Sequence, residues 1–138
     1  MDLYRARLVL PVGSPRIEDG TVAVSQNRIV AVGPTRDVRA AVSGSLHDLG
    51  EVILLPVLIN AHCHLDYTVM RGAILNAGSF AGWIRRLNAI KRTLSHEEFR
   101  ESVESGLHEL LEWGTTSVFN IESFPELLPG LDPPKIRT

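Results

Sequence analysis

Apolar positions in the first fifty-odd residues come in short alternating runs. Tyr4, Ala6, Leu8 and Leu10 alternate with Arg5, Arg7 and Val9, the period of a half-buried strand. Pro11 to Gly20 is rich in Pro, Gly and Ser and reads as a loop. Thr21–Ser25 and Arg28–Val32 are strand-like runs on either side of Gln26-Asn27, a two-residue spacing that suits a hairpin. Asn at the second turn position tolerates the left-handed conformation such turns need. Gly33-Pro34 ends the second run, Thr35–Val42 suits a short helix, and a further strand is expected through Leu46–Leu49 and Glu51–Leu55.

The pattern changes at Pro56. Val57–Ala61 is continuously apolar apart from Asn60, as in parallel strands covered on both faces. Phe80, Ile84, Leu87, Ile90 and Leu94 then recur at helical spacing. Ser95 with Glu98 three residues on is a capping-box signature for a second helix, striped by Phe99, Val103, Leu107, Leu110 and Leu111 and ended by Gly114. Thr115–Ile121 is β-branched and strand-like; a short helix is expected within Pro125–Leu131 and the start of a strand at Lys135–Thr138. Strand, helices, strand, helix, strand is a βαβ series and implies a parallel sheet.

Composition narrows the class. With 44% hydrophobic and 22% charged residues over 138 positions, the chain has ordinary globular proportions. A formal net charge of −2 gives no reason to expect nucleic acid or an anionic membrane as partner. One cysteine, Cys63, excludes an internal disulfide, and the longest apolar run falls far short of the ~20 residues that span a bilayer. The opening Met1-Asp2-Leu3-Tyr4-Arg5 has no apolar signal core, so a cytoplasmic protein is expected.

The chemistry concentrates in Asn60-Ala61-His62-Cys63-His64-Leu65-Asp66. Successive strand side chains point to opposite faces, so Asn60, His62 and His64 share one face and Cys63 takes the other. Two imidazoles so spaced can reach one metal ion at the C-terminal end of a parallel strand, where α/β folds place their sites. Imidazole suits Zn, Fe, Ni or Cu. Two histidines are half a ligand set, since catalytic zinc takes about three protein ligands plus water. Cys63 reads as a small buried hydrophobe. Asp66 and Tyr67 open the loop beyond the strand, and Glu122 follows the next strand; Asp66, Tyr67 and Glu122 are the candidate substrate contacts, a capping or loop-bonding role for Asp66 being the alternative. Arg85, Arg86, Lys91 and Arg92 read as a solvated helix face, Arg71 with Gly72 as a shaper of the first loop or else a solvated arginine, Trp83 and Trp113 as core, and His47, His96 and His108 as surface or structural.

Leu55–Asp66 resembles the first barrel strand of the amidohydrolase superfamily, in its cytosine deaminase, guanine deaminase and chlorohydrolase branch. Asn27–Gly33 resembles the hairpin of that family's N-terminal β-sandwich, and Asp48-Leu49-Gly50 stands where the barrel is about to begin. Met70-Arg71-Gly72 and Ser79–Ile84 resemble the loop and helix after the first strand, and Gly114–Val118 the second strand. Val57 and Asn27 depart from the family, which usually has Gly at both positions.

The resemblance implies an α/β chain: residues 1–55 as part of a β-sandwich lacking its C-terminal strands, and residues 56–138 as the first two to three β/α units of a metal-dependent hydrolase (β/α)8 barrel. It implies a single divalent ion, Zn with Fe as the alternative, held in part by His62 and His64. The ion would acidify a water to attack an sp² carbon of a small-molecule substrate and break a non-peptide C–N bond, in a cyclic amidine such as a purine, pyrimidine or triazine. No nucleic-acid or membrane partner is implied, and the parent enzyme is free to be a homo-oligomer. The family's other ligands and its general acid come from later strands, so no catalytic residue is expected before Thr138. A barrel takes about 250 residues, so the expectation is a fragment inactive on its own. Two rivals remain open: a non-catalytic scaffold or assembly module, and a small independent α/β domain with an accidental His-x-His.

Overall fold

Gln26 and Asn27 both take positive φ, 48° and 62°, and turn β2 (Ile17–Ser25) back on β3 (Arg28–Pro34). Positive φ at both central residues matches the right-handed twist of the flanking strands. The hairpin belongs to a computed structural model that describes residues 1–131 and 136–138. The chain divides into two units, Met1–Pro56 and Val57–Thr138.

In the first unit, β1 (Asp2–Val9) lies inside a sheet of order β3-β2-β1-β4. It pairs antiparallel with β2 and parallel with β4 (Ser45–Asp48) and β5 (Ile53–Leu54). Helix α1 (Thr35–Ala41) sends Val38 onto Leu3 and Ala23. Two expectations need correction. The enclosed residues of β1 are Leu3, Ala6 and Val9, while Tyr4 and Leu8 are half-buried; burial follows what covers each position rather than one strict face. Residues Ile17–Gly20, expected in a loop, open β2. Gly20 stands opposite Ala6, and a Cβ there would come within 2.6 Å of Val9 Cγ2, so this glycine serves close packing rather than a turn.

In the second unit, β6 (Leu58–Cys63) and β7 (Thr115–Asn120) pair in parallel, as the βαβ reading requires. Between them come a 3-10 turn over Leu65–Met70 and helices α2 (Phe80–Lys91) and α3 (His96–Glu112). Leu65, Val103, Leu107, Val118 and Ile136 form one core, and Met70, Leu87 and Phe99 a second. Gly106 lets the turn press on α3: a Cβ there would sit 2.8 Å from the buried Leu65 Cδ2.

Exposure differs from the sequence reading in three places. Leu58 and Ile59 on β6 are exposed, because among the described residues β6 has a partner on one edge only and α3 packs against β7. Phe80 and Trp113, at the two helix ends, are each 77% exposed, so Trp113 is not core; Trp83 is half-buried against the second cluster. The strand expected at Lys135–Thr138 lies partly outside the described residues, and Arg137 bridges Ser117 in parallel. Only Pro125–Leu127 of the last predicted helix forms a helical turn, a 3-10 one.

The capping box is complete. Ser95 Oγ accepts from the Glu98 N–H at 3.2 Å, and the Glu98 carboxylate accepts from the Ser95 N–H at 2.7 Å. The backbone N–H of Ser95, and then its hydroxyl, hold the Glu98 carboxyl below the usual glutamate range. A depressed folded pKa adds stability that is full above the ordinary range and is lost as pH falls through the folded value. Ser95→Ala keeps that backbone N–H and loses the N-cap hydroxyl, a change that costs about 1 kcal/mol at helix N-caps; the loss should be a little smaller at pH 3 than near neutral pH in paired urea titrations.

Candidate metal centre

Strand β6 delivers His62 near its end, and His64 follows as the residue that leads into the 3-10 turn. Asn60, on the same face, accepts the His62 backbone N–H through Oδ1 at 3.2 Å. The His62 and His64 rings come together with centroids 5.2 Å apart and planes 72° to each other. Two imidazoles sharing one tetrahedral ion at Zn–N of about 2.0–2.1 Å place their centroids roughly 5 Å apart. The observed pair meets that spacing. His62 is exposed and His64 half-buried, so the pair is open on one side. Among the described residues no three His, Cys, Asp or Glu side chains converge to hold an ion. The donors this pair can offer are two imidazole nitrogens, a partial fit to zinc.

Cys63, between the two histidines, packs against the Leu65 core. Burial raises its thiol pKa, so it is a poor thiolate donor. The exit from β6 is fixed by Asn120, whose Oδ1 accepts the Leu65 N–H at 2.9 Å while its Nδ2 donates to Glu122 at 3.1 Å. The Glu122 carboxylate also accepts the backbone N–H groups of Ser123 and Phe124, at 2.8 and 3.2 Å. Its oxygens are thus engaged in shaping the loop after β7.

Asp66 is 0% exposed. Its Oδ2 accepts from Ser123 Oγ at 2.6 Å and from Lys91 Nζ at 3.2 Å, and Lys91 also donates to Ser123. The carboxylate is therefore enclosed by protein, and its Oδ1 is buried without a partner among the described residues. Lys91 corrects the reading of a solvated basic face: its side chain is 15% exposed and reaches inward. The signal was present, because Lys91 stands four residues after the buried Leu87, on the same side of α2. Arg71 pairs with Glu109 of α3 at 2.5 Å, tying the end of the 3-10 turn to that helix. Tyr67, a candidate substrate contact by its place in the loop, turns its ring to His64 instead, 4.9 Å away and within 8° of parallel. The other histidines stand apart: His47 bonds Asp2 at 2.8 Å, His96 lies by Phe124, and His108 is exposed on α3.

Two solved proteins share this arrangement of elements. An adenosine deaminase from Xanthomonas campestris, with bound zinc, matches at a TM-score of 0.67 and 27% identity, over 94% of this chain and 30% of that one. An atrazine chlorohydrolase from Arthrobacter aurescens, complexed with zinc, matches at 0.66 and 27% identity, over 87% of this chain and 28% of that one. By fold and sequence together, the chain is similar to enzymes of the amidohydrolase superfamily. More particularly, it is similar to 5-methylthioadenosine/S-adenosylhomocysteine deaminases. That of Nitratidesulfovibrio vulgaris is 33% identical over 123 residues, 83% of this chain and 27% of that protein. That of Lawsonia intracellularis is 30% identical over 112 residues, 80% of this chain and 25% of that protein. The chain thus spans about a quarter of the length of the curated relatives it matches. No family model matches it.

Proposed function

We propose that this chain supplies two ligands, His62 and His64, to the single divalent ion of a hydrolase that deaminates a cyclic amidine. The observation that carries the reading is the paired imidazoles, 5.2 Å between centroids at the end of a parallel strand. The relatives support it: deaminases named for methylthioadenosine and adenosylhomocysteine, and zinc-containing neighbours whose names include adenosine and atrazine. Zinc is favoured over iron. When bound, such an ion lowers the pKa of water from about 15.7 to about 7. The chain's own part is to hold two imidazole nitrogens at a fixed spacing and to shape the rim with Asn120 and the Asp66–Lys91–Ser123 cluster. Asp66 and Glu122 then act on a substrate by bracing that rim. A third protein ligand and a general acid lie outside the described set, so the 138-residue chain is inactive alone. On this reading, residues 1–55 belong to a β-sandwich, residues 56–138 begin a barrel, and the substrate is a small molecule in the cytoplasm.

The test is a graft. The chain replaces the matching segment of the Nitratidesulfovibrio vulgaris deaminase, and ammonia release from 5-methylthioadenosine is measured. The chain alone should release none, the graft should be active, and His62→Ala or His64→Ala in the graft should abolish turnover. A folded graft that keeps full activity without either histidine contradicts the assignment.

A further inference from the structure

We propose that Tyr67 and Lys91 are positioning residues that hold the His64 ring in its ligating orientation; this rests on the reading of His64 as a ligand. A metal-binding histidine is normally oriented by a hydrogen bond from its other ring nitrogen to a carboxylate, a carbonyl or water. Among the described residues no such bond reaches the ring of His64 or His62. A stack takes that place. The Tyr67 ring lies parallel to His64 within 8° at 4.9 Å, and Lys91 Nζ stands 4.6 Å from the Tyr67 centroid, within cation–π range.

The stack is anchored from behind. Lys91 ends α2 and is held by Asp66 Oδ2 at 3.2 Å and by Ser123. Asp66 precedes Tyr67 in the same 3-10 turn and is wholly enclosed. The order Asp66 to Lys91 to Tyr67 to His64 thus carries the rigidity of α2 to a ring just past the end of a strand. An imidazole at such a site is otherwise free to rotate, and freezing it on metal binding costs conformational entropy. A ring already held pays that cost during folding.

The test uses the 138-residue chain in two steps. In the metal-free protein, His64 ring-proton resonances, assigned by their loss in His64→Ala, should lie upfield of those of His108, which has no ring against it among the described residues. Tyr67→Leu should move them downfield, towards the His108 position, with the His62 ring still beside them, and Tyr67→Phe should leave them in place. Calorimetric titration with zinc should then show affinity about tenfold weaker in Tyr67→Leu, the size expected for losing an outer partner of a metal ligand, and unchanged in Tyr67→Phe. Lys91→Met is made together with Asp66→Asn, so that no lone charge is buried. It should weaken zinc binding likewise, and Lys91→Arg should restore it. An unmoved His64 signal in Tyr67→Leu, or zinc affinity indifferent to both stack variants, overturns the positioning role. A moved signal with zinc affinity that ignores His64→Ala overturns the ligand reading beneath it instead.

Discussion

Asp66→Ala should lower the unfolding free energy by about 3 kcal/mol, the low end of the ~3–5 kcal/mol that follows removal of one partner from a buried ion pair. The carboxylate is fully enclosed and Lys91 is 15% exposed, so the substitution strands a largely buried ammonium. Two features reduce the loss. Lys91 keeps Ser123 and the face of Tyr67, and the substitution also removes an Oδ1 that is buried without a partner among the described residues. Asp66→Asn with Lys91→Met removes both charges together and should cost far less, because a buried pair replaced as a unit is often close to neutral. An exposed pair such as Arg36–Asp37 is the control, with an expected cost of less than about 1 kcal/mol. Urea denaturation followed by circular dichroism separates the three. An Asp66→Ala loss no larger than the control's means that the pair does not form in solution.

The second large effect falls on metal affinity and leaves the fold intact. His62 is exposed and His64 half-buried, so neither carries core packing. His62→Ala and His64→Ala should melt within a degree or two of the parent chain while weakening zinc binding at least tenfold each. Losing an outer partner of a ligand already costs about 10–100-fold, and losing one of two direct ligands must cost no less. The double variant should bind no better than either single one, because one imidazole without the other is a surface histidine. Equal affinity in all three would place zinc elsewhere on the chain.

What could be read from the sequence was what depends on neighbours in the chain. Gln26-Asn27 fixed its hairpin through two local dihedrals, Ser95 and Glu98 their capping box through a three-residue reach, and Gly114 its helix end at φ 82°. The pairing of His62 and His64 follows from strand alternation, which is also local. What could not be read depends on residues far apart in sequence. Lys91 looks like one more charge in a basic stretch until Asp66 and Ser123, 25 and 32 residues away, are brought against it. Tyr67 has no signature at all, because its parallel contact with His64 arises from the 3-10 turn that folds it back. The extent of β2 was missed for a similar reason: Gly20 suits a turn by composition but is required by Val9 from the neighbouring strand.

The central claim is that two rings on one strand end share one ion. Crystals of the chain soaked in zinc and measured across its absorption edge test this directly. The account predicts a single anomalous peak between the rings, about 2.0–2.1 Å from one nitrogen of His62 and one of His64. Zinc on one ring alone, a separate ion on each, or none between them contradicts it.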